Sequence, residues 1–145
     1  MASDIPYRWT TTAARVSLAR RFRLPYDDSM QDWEWEVADA SRFGEFLEAY
    51  CSGSFDEDER FSLMEMLIQC VEDMDQPSIE TTPQWRSVAA LLTADHRLHA
   101  SSVRYWSCLG DRALEDCFSV SGPMRDVWEI IRQPCEGAGG MADPQ

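Results

Sequence analysis

Phe61, Met64, Ile68 and Val71 recur at steps of three and four residues, and Leu63 and Leu67 broaden the stripe they make. Apolar residues at that period share one face of an α-helix. A stripe this wide belongs to a helix covered on more than one side. A central helix therefore limits the fold, since the remaining elements must wrap it. Ser54-x-x-Glu57 stands just ahead of it with the spacing of a capping box. The same period recurs along most of the chain. Trp9, Ala13, Val16 and Ala19 or Phe22 predict a helix over 9–22, capped by Thr10 or Thr11 and ended before Pro25. Phe43, Phe46, Leu47 and Tyr50 predict another, starting at Asp39 or Ser41 and stopped by Ser52-Gly53. Thr82-Pro83 opens a helix carrying Trp85, Val88, Ala89, Leu91 and Leu92. Leu98, Val103 and Trp106 suggest one opening at Ser101 or Ser102 and broken by Gly110-Asp111. Met124, Val127, Trp128 and Ile131 suggest a last one, opened by Ser121-Gly122-Pro123.

One segment resists this reading. Trp33, Trp35 and Val37 alternate with Glu34 and Glu36, the pattern of a half-buried strand. No partner strand follows, so 33–37 is expected as a short strand or an extended loop holding two indoles in the core. Leu114 to Val120 fits no period. The expected fold is all-α, an irregular bundle of five or six helices around one core. It is expected to span 1–133 as a single domain, followed by a flexible tail, 134–145.

The charges are arginine and carboxylate only; the chain has no lysine. That removes P-loop, Schiff-base and pyridoxal-type lysine chemistry. Residues 1–24 carry five arginines against one acid, a net of +4. Residues 25–80 carry seventeen acids against two arginines, a net of −15. Residues 81–145 carry eight acids against six arginines, a net of −2. Such separation makes a directional field that bears on partner choice. It disfavours nucleic acid, because phosphate contact needs clustered positive charge. The apolar runs are a few residues long, too short to cross a membrane. The five cysteines include no C-x-x-C pair, and free, mostly buried thiols in a cytoplasmic protein are expected. Residues 1–24 also have the acid-poor, Arg- and Ser/Thr-rich composition of an organellar transit segment.

No catalytic residue, metal site or cofactor is assigned. Asp56 to Glu59 fails as a calcium loop, with Arg60 and Phe61 where an oxygen ligand and glycine belong. These acids suit the first turn of a helix. His96-x-x-His99 lacks the third ligand zinc needs. The expectation there is a surface His96 and a semi-buried His99 bonded to a carbonyl or carboxylate. The Gly137-Ala138-Gly139-Gly140 cluster lacks the strand and helix of a phosphate loop. Glu65, between Met64 and Met66, needs a partner if buried. Arg104, Arg125 or His99 could supply it, and with Tyr105 these residues form a candidate buried polar network.

The order Phe61-x-Leu63-Met64-Glu65-x-x-Ile68, Trp85, Leu91-Leu92, Leu98-His99, Tyr105-Trp106, Phe118 and Arg125 resembles a set of small uncharacterised bacterial proteins over residues 55–130. The resemblance implies a helical bacterial protein. In size and acidity the chain is also similar to toxin-immunity proteins. The first functional expectation is an acidic interaction domain that binds a basic protein partner, with an immunity-type inhibitor as one form of it. Its candidate surface is Asp27, Asp28, Asp32, Trp33, Glu34, Trp35, Glu36, Asp56, Glu57 and Asp58, with Tyr26 and Phe55 as further aromatic anchors. The alternatives are a small metal-dependent or acid/base enzyme centred on His99 and Glu65, and a domain whose acidity serves solubility alone.

Overall fold

The computed structural model describes residues 7–74, 76–110 and 113–133. Among them the chain is all-helical, with α1 (Thr12–Phe22), α2 (Trp33–Val37), α3 (Phe43–Cys51), α4 (Glu57–Glu72), α5 (Pro83–Ala94), α6 (His96–Ser107) and α7 (Ser121–Ile131). Short 3-10 turns cover Ala40–Arg42, Ile79–Thr81 and Leu114–Asp116. None of these helices is long and apolar enough to cross a membrane. The span 134–145, with its glycine cluster, lies outside the described residues.

α4 is the central helix that its broad stripe implies. Every residue from Phe61 to Ile68 is buried, including Ser62 and Glu65. α1, α2, α3, α5 and α6 all pack on it, and α7 closes the far side against α5 and α6. Leu63, Met64, Met66, Leu67 and Ile68 are fully enclosed. Each such side chain contributes roughly 1.5–3 kcal/mol by leaving water. α5 and α7 are set by local chemistry as well. The Thr82 side chain accepts from the Trp85 amide, with Pro83 at the first helical position. Arg125 donates to the Ser107 and Cys108 carbonyls at 2.8 and 2.7 Å, tying α7 to the end of α6.

Four sequence expectations need correction. The capping box lies two residues further on than Ser54 and Glu57. The Asp56 carboxylate accepts from the Glu59 amide at 2.8 Å, and the Glu59 carboxylate accepts from the Asp56 amide at 2.9 Å. α1 begins at Thr12 and turns Ala14, Leu18, Ala19 and Phe22 inward, leaving Trp9 and Ala13 exposed. Trp9 precedes the Thr11 cap, so it never joins the helical stripe. α6 starts at His96, directly after α5, which makes seven helices. The largest correction concerns 33–37, which forms one helical turn and not a strand or loop. The Trp35 and Glu36 amides both donate to the Asp32 carbonyl. Trp33 and Val37, four apart, share the buried face with Glu34, and Trp35 reaches sideways to α6.

Candidate functional site

The short α2 is held by buried polar bonds and not by its own length. Arg15 on α1 donates to both Glu34 carboxylate oxygens, at 2.9 and 2.7 Å, and to the Met30 and Gln31 carbonyls. Ser62 of α4 adds a bond to Glu34 at 2.9 Å. This fork geometry is special to arginine, and Glu34 holds the Arg15 guanidinium firmly in its charged form. One turn along α4, the Glu65 carboxyl accepts from Trp35 Nε1 at 2.9 Å, from Trp106 Nε1 at 3.1 Å and from Ser102 Oγ. All of its donors are neutral. Burial pushes this carboxyl above the ordinary carboxylate range, against the pull of its three donors.

Of these groups, Arg15, Glu34, Trp35, Glu65 and Ser102 line one side of a cavity of about 190 Å³, bounded by the 7–10 lead-in, α2, α4 and α6. Trp35 and Tyr105 stack with ring centres 5.7 Å apart and planes 17° apart. Around the mouth stand three large aromatics in water: Trp9 is 73% exposed, Tyr7 60% and Tyr105 44%. Tyr7 and Trp9 pack edge to face at 4.3 Å. Arg8, also lining the cavity, is pinned to Asp58 at 2.8 Å and lies 4.0 Å from Glu57.

A second polar cluster sits apart from the first. His99 is fully buried beneath the Phe61 ring, with Nε2 2.7 Å from the Tyr50 hydroxyl and 3.9 Å from Asp95. Asp95 also takes Arg60 at 3.3 Å. Burial pushes His99 down to about 4, against the pull of Asp95. The expected semi-buried His99 is thus deeper than anticipated, and its partner is a hydroxyl. His96 is exposed. Among the described residues no three side chains gather as metal ligands.

The single expected polar network therefore divides. Glu65 and Tyr105 line the cavity, His99 belongs to the Tyr50 cluster, Arg104 points to solvent, and Arg125 serves the end of α6. Arginine was the wrong partner for Glu65, because two indoles and a serine reach it first. The candidate partner surface divides as well. Asp27, Asp28, Asp32, Glu36, Asp56 and Glu57 are exposed, and Asp58 is half-buried under Arg8. Trp33 and Glu34 are buried and offer nothing to a partner; neither does Phe55, and Tyr26 is half-buried. The exposed rings at the cavity are Tyr7, Trp9 and Tyr105; of these the sequence placed Trp9 in a core stripe and Tyr105 in a buried network. The expectation of free thiols is overturned at one pair. Cys108 and Cys117 form a disulfide joining the end of α6 to the segment before α7, while Cys51 and Cys70 are free. The spacing of nine residues gave no cue, since no motif carries it. Compared with models of known families, with curated proteins and with solved structures, the chain matches none of them.

Proposed function

We propose that this domain binds a basic protein partner, which docks over the cavity mouth between the 7–10 lead-in, α2 and α6. The observation that carries the reading is the ring of exposed aromatics, Tyr7, Trp9 and Tyr105, around a cavity lined by carboxyl groups. Tryptophan and tyrosine held in water beside a concavity are the residue types that dominate binding energy at interfaces. The charge supports the same partner. Within residues 25–80, Glu34, Glu45, Glu57 and Asp58 lie within 4 Å of an arginine, and the other described acids have no arginine that close among the described residues. The surplus is thus left for an opposite charge to meet, which speeds association at low salt. An immunity-type inhibitor of a basic toxin is the form that the size and acidity favour. The test is capture from the native host at about 50 mM and 500 mM salt, using the wild-type chain and a Trp9→Ala/Tyr105→Ala variant. A basic protein held at low salt by the wild type and lost in the variant supports the reading. Equal capture by both chains, or none, refutes it.

An acid–base enzyme is the second reading, favoured by Glu65, a carboxyl raised by burial in a cavity beside Glu34. The volume weighs against it. About 190 Å³ falls below the roughly 300–1,000 Å³ of small-molecule sites.

A further inference from the structure

Glu65 is 93% buried, on the figure of 7% exposure, and no arginine lies within 4 Å of it among the described residues. An ionised carboxylate has about four acceptor positions on its two oxygens. Trp35 and Trp106 fill two on Oε1, and Ser102 fills one on Oε2. One position on Oε2 is left. The other charged or titratable groups around the cavity are Tyr7, Arg8, Arg15, Asp32, Glu34 and Tyr105. Arg15 is committed to Glu34, and Arg8 to Asp58. Asp32 and Glu65 remain as carboxyl groups without a cation. Tyr7, Trp9, Trp35, Phe61 and Tyr105 supply the walls. Aromatic walls around residual negative charge favour a cation, which the ring faces attract and the carboxylate anchors.

Size narrows the choice. At about 30 Å³ per water, the cavity holds roughly six waters' volume, which suits the tip of one side chain. We propose that this cavity receives a single cationic side-chain tip, an ammonium or guanidinium, which donates a hydrogen bond to Glu65 Oε2 between the aromatic walls. The proposal rests on the partner reading above and names the anchor that the partner inserts. Where Glu65 enters the event protonated, its carboxyl proton leaves for solvent as the cation arrives, so the charge inside the cavity stays near neutral.

The test needs no partner, so its failure and the failure of the partner reading are separable. Ethylguanidinium, butylammonium and uncharged N-ethylurea are titrated into the full chain at constant ionic strength. Binding is followed by tryptophan emission and by the Trp35 and Trp106 indole N–H resonances. At least one cation is expected to bind saturably, in the millimolar range fitting so small a ligand, with N-ethylurea roughly tenfold weaker or silent. Ethylguanidinium ahead of butylammonium assigns an arginine anchor, and the reverse order assigns lysine. Glu65→Gln keeps the shape and is expected to weaken the cation at least about tenfold. Should Glu65→Gln fail to fold, the exposed Asp32→Asn is expected to weaken it about twofold or more. Wild-type affinity is then also expected to rise with pH above the ordinary carboxylate range, as Glu65 gives up its proton. No saturable response from either cation overturns the proposal, as does equal binding of the urea. Undiminished binding in Glu65→Gln, or a flat pH profile with Asp32→Asn unchanged, also overturns it.

Discussion

Replacing Glu65 separates what its shape does from what its charge does. Glu65→Leu removes the acceptor used by Trp35, Trp106 and Ser102 at once. Trp35 is half-buried and can turn to water, whereas Trp106 and Ser102 are enclosed. Two fully buried donors left unmet cost about 1–3 kcal/mol each, so Glu65→Leu should lose about 2–6 kcal/mol. At about 4 °C per kcal/mol for a chain near this size, that is a fall in Tm of roughly 8–24 °C. Glu65→Gln keeps an oxygen for the two indoles, offers its amide to Ser102 and buries no charge. It should unfold within about 1 kcal/mol of wild type, or above it, at pH 7. The pH dependence carries the sharper prediction. Because burial raises the folded-state pKa of Glu65 above its unfolded value, the fold binds that proton more tightly. The contribution of Glu65 is therefore most favourable below the ordinary carboxylate pKa. It declines as pH rises toward the raised value and is flat beyond it. Each unit of elevation widens the gap between Glu65→Gln and wild type by about 1.4 kcal/mol. Urea unfolding of the three chains from pH 4 to 8 measures this. A gap that is constant with pH, or a Glu65→Leu chain as stable as wild type, refutes the account of this cluster.

Three further outcomes are expected. Arg15→Ala strands the buried Glu34 with Ser62 alone and should cost about 3–5 kcal/mol in urea unfolding, part of it recovered in Arg15→Ala/Glu34→Gln. His99, lowered from 6.5 to about 4, resists charging in the fold, so its contribution is full above pH 6.5 and falls by about 3 kcal/mol as pH drops through 4. His99→Phe should flatten that acid slope in unfolding measured at pH 7, 5.5 and 4. Cys108→Ser/Cys117→Ser opens a loop spanning nine positions and should lose about 2–3 kcal/mol, and the wild type under reductant should match it.

The core was legible because period alone defined it. Phe61, Leu63, Met64, Leu67, Ile68 and Val71 on α4, Trp85, Val88 and Leu92 on α5, and Met124, Val127 and Trp128 on α7 are buried as their spacing requires. Caps were half legible. Thr82-Pro83 held, whereas Ser54-x-x-Glu57 and Asp56-x-x-Glu59 overlap with the same spacing, and the box forms on the second. The turn at Trp33 was illegible, since a five-residue helix has too few residues to show a period, and the Arg15 bonds that fix it reach 15 to 19 residues along the sequence. The site was half legible too. Glu65 was marked by its apolar neighbours, but its indole donors come from α2 and α6 and carry no local signal. Trp9 was misplaced because it lies two residues ahead of the Thr11 cap, and its four-residue step to Ala13 looks like a helical step until the cap is located.

Arg15 has a consequence that reaches beyond its own bonds. One guanidinium grips Glu34 and the two carbonyls just ahead of α2, so the first helix is tied directly to the wall bearing Trp35. Any force that tilts the first helix is transmitted to the width of the opening beside it. Lysine, with a single point of attachment, could not act as that rigid coupling. In a chain whose cations are all arginine, this is the position where the choice of arginine matters mechanically.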